Sequence, residues 1–185
     1  MSSLTIPPLK EDLIRVLIDA DTIERKVSEL ARQISEDHNS DEKLVVVGVL
    51  KGSFIFAADL CRQLEVDHSV DFIALSSYGS TAKATGNVRL IMDVRENLAG
   101  KHVLIVEDIL DSGYTLDYLK RNFETRKPAS LKTIALLNKQ DRREVDVTLD
   151  YMGFDIPDVW VVGYGLDYAE KYRTLPYIAE MKPVE

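Results

Sequence analysis

Apolar positions along this chain follow two rhythms. Over residues 19–38 (DADTIERKVSELARQISEDH), Ile23, Val27, Leu30, Ala31 and Ile34 recur at spacings of three and four. That period puts them on one face of a helix, which Asp21 or Thr22 would cap. Residues 43–50 (KLVVVGVL) instead form a short continuous apolar run rich in Val, which fits a strand buried on both faces. Residues 103–106, 131–137 and 159–162 read the same way, and 54–64 and 115–125 fit helices between them. Strand–helix–strand alternation predicts an α/β fold with a mainly parallel sheet flanked by helices. Residues 76–87 (SSYGSTAKATGN) resist that scheme, being polar and without apolar period. A loop of this length inside a compact domain is either a functional lid or a plain connector.

Composition narrows the function classes. The 185 residues suit one domain, and no linker divides them. The apolar share of 45% and charged share of 29% are those of an ordinary globular protein. Twenty-three Lys and Arg against thirty-one Asp and Glu give a net charge of −8, the opposite of a nucleic-acid-binding footprint. One Cys, Cys61, excludes an internal disulfide framework and suits a reducing compartment. No apolar run approaches membrane-spanning length and residues 1–10 carry no secretion pattern, so the expectation is a cytoplasmic protein without a membrane partner.

The chemistry concentrates in residues 103–116, VLIVEDILDSGYTL. An apolar run ends in adjacent carboxylates, Glu107 and Asp108, and a short loop with Asp111, Ser112, Gly113 and Thr115 opens a helix. Free N–H groups at a helix start, beside a Gly that permits close approach, cradle one phosphate. The paired carboxylates suit a ribose diol and a hard cation such as Mg²⁺. No GxxxxGK[ST] sequence is present, which argues against a P-loop nucleotidase.

VEDILDSGYTL resembles the phosphoribosyl pyrophosphate signature of type I phosphoribosyltransferases, and its Glu-Asp form resembles the 6-oxopurine branch of that family. The resemblance runs over about residues 41–173, with separated motifs in the family's order. One position departs from it: Tyr114 stands where relatives often carry Lys or Asn. The resemblance implies one domain over residues 1–185, with a small hood from the N-terminal segment and roughly residues 150–185. It implies transfer of a 5-phosphoribosyl group from phosphoribosyl pyrophosphate to hypoxanthine or guanine, with Mg²⁺, in a homo-oligomer (dimer or tetramer). It places the 5′-phosphate on Asp111, Ser112, Gly113, Tyr114 and Thr115, and the ribose and metal on Glu107 and Asp108. Asp111 would also be the general base.

The remaining motifs gain roles only through the resemblance. Lys51-Gly52, alone an ordinary turn before a helix, would hold pyrophosphate, across an unusual cis peptide in the family. Lys139, alone a loop lysine, would contact the purine's 6-oxo oxygen; Arg142 and Arg143 beside it read as surface charges. Trp160, alone a core aromatic, would stack on the base, and the backbone of Val161 and Asp167 would meet its edge. Asp167, alone the cap of a helix over 168–172, would also hold a second Mg²⁺ through water. Arg173 would bind pyrophosphate, and Ser77-Tyr78 would sit on a lid that excludes water. A competing reading is a regulator of the same fold that binds nucleic acid, which the acidic balance disfavours. An enzyme acting on adenine, orotate or uracil conflicts with Lys139 and the aromatic strand.

Overall fold

Alternation of buried strands and amphipathic helices builds the chain around one large sheet. The computed structural model describes residues 11–38, 43–77 and 88–182. In chain order the elements are β1 (Leu13–Ile18), α1 (Ala20–Asp37), β2 (Leu44–Leu50), α2 (Phe54–Cys61), β3 (His68–Ser77) and β4 (Val88–Met92). There follow β5 (His102–Leu110), α3 (Tyr114–Glu124), β6 (Ser130–Asn138), β7 (Tyr151–Asp155), β8 (Val161–Val162) and β9 (Ile178–Met181). A six-stranded sheet has the order β4-β3-β2-β5-β6-β7, parallel except for antiparallel β4 at one edge. A second, three-stranded sheet, β1-β9-β8, is antiparallel throughout.

The Val-rich run is continuous because both faces of β2 are covered. Val46 packs with Leu104 and Val106 in the layer that also holds the buried stripe of α1 and Phe56, Ala57 and Leu60 of α2. Val45, Val47 and Val49 face the other layer with Ile73, Ile105 and the α3 residues Leu116, Leu119 and Phe123. Each such side chain, fully buried, contributes about 1.5–3 kcal/mol, so the two layers together fix the positions of the strand ends.

Several boundaries differ from the sequence expectation. The cap of α1 is Asp19, whose carboxylate accepts from the Thr22 N–H at 2.7 Å, and not Asp21 or Thr22. Helix α2 stops at Cys61, where the Arg62 N–H turns back to Ala58 and Leu60. Ser76 and Ser77 belong to β3 and not to a loop. The run at 159–162 is no strand of the parallel sheet: Val161 and Val162 pair antiparallel with Glu180 and Ala179 in the small sheet. Pro157, lacking an N–H donor, lies in the connection that leads out of β7. No helix follows Asp167; Ala169, Glu170 and Tyr172 adopt positive φ (50°, 62° and 74°), and Tyr168 bridges Lys171. No described helix is long and apolar enough to cross a membrane.

Candidate active site

Strand β5 carries the two carboxylates inside its length, not beyond its end. Val103, Ile105 and Leu110 face one layer, whereas Leu104, Val106 and Ile109 face the other. The regular alternation of a strand is therefore interrupted across Glu107-Asp108. Glu107 is buried (5% exposed), and burial, reinforced by the neighbouring Asp108 charge, holds its carboxyl well above the usual range. Burial likewise pushes Asp108 up to about 6, against the opposing effect of the Ile109 N–H, which it accepts at 2.9 Å, and of Arg173.

Asp108 opens into a cleft of about 420 Å³ shared with Lys51, Gly52, Asp167, Glu170 and Arg173. Lys51 and Gly52 follow the carboxyl end of β2 and Asp108 lies near that of β5, as expected of ligand sites in open α/β sheets, while Asp167, Glu170 and Arg173 come from the segment after β8 of the small sheet. The Leu50–Lys51 peptide is cis, one bond earlier than the Lys51–Gly52 bond that the motif had singled out. Gly52 is required by crowding: a Cβ there would lie 1.5 Å from Asp108 Oδ2. Gly165 is required twice over, with φ of 105° and a Cβ position 1.9 Å from the Gly52 carbonyl oxygen. Gly165→Ala should therefore destabilise the protein by about 1–3 kcal/mol and spread the cleft. Urea unfolding would measure the first effect, and a Gly165→Ala protein as stable as the parent would contradict this packing.

Both cations of the cleft are paired with its own carboxylates. Lys51 Nζ lies 3.0 Å from Glu170 Oε1, and Arg173 Nη2 lies 2.8 Å from Asp167 Oδ1 and 3.3 Å from Glu170 Oε2. Arg173 Nη1 donates to the Gly165 carbonyl at 2.9 Å, while its buried Nε has no hydrogen-bond partner. A guanidinium with one unpartnered donor, sharing Glu170 with the Lys51 ammonium, is chemically suited to an anion. Glu170 is lowered from the usual carboxylate range, by hydrogen bonding from Lys51 first and Arg173 next.

The phosphate-type loop lies beyond β5. Gly113, φ 96°, precedes α3, and no side chain caps that helix. An uncapped helix start offers its first N–H groups to a ligand. The Ser112 carbonyl accepts from Glu144 and Val145 N–H groups at 3.0 and 3.1 Å, and a Cβ on Gly113 would meet Val145 O at 2.9 Å. Ser112, Tyr114 and Thr115 are partly exposed, and the Tyr114 hydroxyl donates to Glu144 at 3.2 Å.

Lys139 is 8% exposed, with Nζ 3.7 Å from Asp158. Arg142 joins Asp111 (3.3 Å) to Asp158 (3.9 Å), so a chain of charges links the loop to Lys139. Arg143 is not the surface charge the sequence suggested: it is partly buried and donates to three acceptors on three segments. Nothing in an Arg-Arg pair after a strand distinguishes that role. Trp160 is 64% exposed, so the core reading of this aromatic fails, while Val161 is buried in the small sheet. Ser77 ends β3, paired with Val88, and Tyr78 lies outside the described residues.

Two carboxylates at the cleft, Asp108 and Asp167, are hard oxygen donors of the kind Mg²⁺ takes when substrate oxygens complete its shell. Among the described residues no three His, Cys, Asp or Glu side chains gather into a cage of their own, so a cation here would be shared with a ligand.

Comparison with known proteins places this fold in a family. The family described as phosphoribosyl transferase domain matches residues 17–169. A hypoxanthine phosphoribosyltransferase of Salmonella typhimurium is 48% identical over 169 residues, 91% of this chain and 95% of that protein. The crystal structure of a hypoxanthine-guanine phosphoribosyltransferase from Bacillus anthracis, with HEPES in its active site, superposes with a TM-score of 0.88 at 50% identity, over 92% of this chain and 99% of that one. Hypoxanthine phosphoribosyltransferase from Trypanosoma cruzi in complex with the product IMP gives a TM-score of 0.88 at 42% identity, over 96% and 98% of the two chains.

Proposed function

This chain belongs to the phosphoribosyl transferase family, and from that membership we infer that it is a purine-salvage enzyme. It transfers the 5-phosphoribosyl group from phosphoribosyl pyrophosphate to hypoxanthine or guanine, forming IMP or GMP and releasing pyrophosphate. Its relatives are named as enzymes of this reaction, which leaves the nucleic-acid-binding regulator without support. The structural observation that carries the reading is the cleft joining Lys51, Gly52, Asp108, Asp167 and Arg173, whose Asp108 lies on the strand that leads into an uncapped, Gly-led helix start.

In this reading the donor's 5′-phosphate occupies residues 111–115, held by N–H groups and by the Ser112 and Thr115 hydroxyls. Glu107 and Asp108 accept from the ribose diol. Lys51, the Gly52 backbone and Arg173 take the leaving pyrophosphate, which displaces Glu170 from both cations. Bound Mg²⁺, held by Glu107 and Asp108 and, through water, Asp167, would neutralise charge on the leaving group. Lys139 donates to the 6-oxo oxygen, Trp160 stacks on the base, and the backbone at Val161 and Asp167 meets its edge. Nitrogen 9 attacks the anomeric carbon opposite the leaving group, while Asp111 takes or shares the proton at nitrogen 7. The small sheet and its loops form the hood over the base, and Ser77-Tyr78 belongs to the lid.

Homo-oligomerisation and a cytoplasmic location are part of the same proposal. Val70 on β3 and Met92 on the edge strand β4 are exposed apolar side chains at one edge of the large sheet, and a second copy would cover them. The decisive experiment measures pyrophosphate release with Mg²⁺, the donor and each purine in turn. Release with hypoxanthine or guanine is expected; none with any 6-oxopurine overturns the function.

A further inference from the structure

Arg143 has no role in the reaction as described above, yet it makes three hydrogen bonds around the phosphate loop. Its Nε donates to the Asp111 carbonyl at 3.2 Å, Nη1 to the Val147 carbonyl at 2.9 Å and Nη2 to Asn138 Oδ1 at 2.5 Å. The three acceptors belong to the loop after β5, the segment after the 3₁₀ turn Gln140–Arg142, and the last residue of β6. Its Cδ also lies 3.1 Å from where a Gly113 Cβ would stand, so the stem of the side chain bounds the loop from behind.

We propose that Arg143 is a positioning residue that holds the loop at residues 111–115 in its anion-accepting shape, by tying the Asp111 carbonyl to the end of β6. The far anchor is rigid. Asn138 is buried (8% exposed), and its amide donates to Asp155 at 2.6 Å, joining β6 to β7. The near end is a short loop whose N–H groups must converge on one phosphate. Such convergence is lost by small displacements, and a misplacement of about 1 Å remote from the chemistry can cost on the order of 10²-fold. A planar guanidinium fork meets three acceptors in fixed directions, which one ammonium on a flexible stem cannot do. Arg142, by contrast, is exposed and reaches the loop only through the Asp111 carboxylate.

The inference rests on the phosphate role given to residues 111–115 above, and a binding measurement separates the two. Ribose 5-phosphate affinity, read by calorimetry, probes the loop without turnover. In Arg143→Lys this affinity should fall about 10–100-fold, and the KM for phosphoribosyl pyrophosphate should rise in step. The KM for hypoxanthine should stay within about threefold, because Lys139 keeps its own backbone bond to Leu110 (2.9 Å). In Arg143→Gly, added ethylguanidinium should restore ribose 5-phosphate binding while raising the melting temperature by no more than its own occupancy of the vacated site requires, which separates positioning from general stability. Unchanged ribose 5-phosphate affinity in Arg143→Lys would overturn the proposal, as would equal losses for donor and base with no recovery by ethylguanidinium. If the parent protein binds ribose 5-phosphate but releases no pyrophosphate with any purine, the functional reading falls and the tether is still decided by the binding series.

Discussion

Asp111→Asn is expected to lower kcat by on the order of 10²–10⁴, the usual contribution of a general acid or base. The substitution keeps the size of the side chain and an oxygen that can still accept from Arg142, which reaches Asp111 Oδ1 at 3.3 Å. It does not touch the Asp111 carbonyl, which Arg143 holds at 3.2 Å, so the loop keeps its shape. What disappears is the capacity to take a proton. The KM for phosphoribosyl pyrophosphate should therefore change much less than kcat, and steady-state kinetics would separate the two. Turnover by Asp111→Asn equal to the parent's would remove Asp111 from the proton transfer. A loss confined to KM would mean that its carboxylate only binds.

The contrast between Asp111 and its neighbours bears on what a linear sequence can reveal. The stripe Ile23, Val27, Leu30, Ala31 and Ile34 was legible because one helix face alone is buried, and all five residues are buried in the fold. The interior strands β2, β5 and β6 were legible because a parallel sheet covered on both faces keeps their central stretches, residues 44–50, 103–106 and 134–137, continuously apolar. Edge strands lack that signature. In β4 (VRLIM) all five residues keep some exposure, and β1 (LIRVLI) buries only its two end residues deeply, so neither gives a continuous run or a clean alternation. The run at 159–162 shows the limit of apolar runs: hydrophobicity says that Val161 and Val162 are buried, not in which sheet.

The site divides in the same way. Residues 107–115 were legible because carboxylates, hydroxyls and Gly crowd into a strand–helix junction, where chemistry and position agree. Lys51, Lys139, Trp160 and Arg173 were individually ambiguous, and only their resemblance to a family pattern gave them roles. The fold brings Lys51 and Arg173 into one cleft with Asp108, and it leaves Trp160 too exposed for a core residue. Glu170 escaped altogether, and Arg143 reads in the sequence as a surface charge. Glu170 reaches Lys51 across 119 positions of chain, and Arg143 acts through the backbone carbonyls of Asp111 and Val147, which carry no residue-specific signal.

Asp108→Asn should change stability and activity in opposite directions. In the free protein burial raises the Asp108 carboxyl from an ordinary 3.8 to about 6. The folded protein then binds this proton more tightly than the unfolded chain does. Its stabilising effect is full below about pH 4, declines as the pH rises through about 6, and is absent at neutral pH. With about 1.4 kcal/mol per pKa unit, the ionised carboxylate costs the fold at most about 3 kcal/mol near pH 7. An amide carries no charge to desolvate and can still accept from the Ile109 N–H. The Asn protein, unfolded by urea in EDTA, should therefore be more stable than the parent at pH 7 by about 1–3 kcal/mol, with the difference vanishing near pH 4. Catalysis should move the other way, because the proposed partner of the ribose diol and Mg²⁺ is gone, and kcat/KM should fall by on the order of 10² or more. A stability difference independent of pH would show that Asp108 is not held out of water. A stabilised protein with undiminished kcat/KM would show that its charge serves no ligand. A pH-dependent gain in stability together with a loss of kcat/KM would mark Asp108 as a residue kept for a ligand and not as half of a structural ion pair.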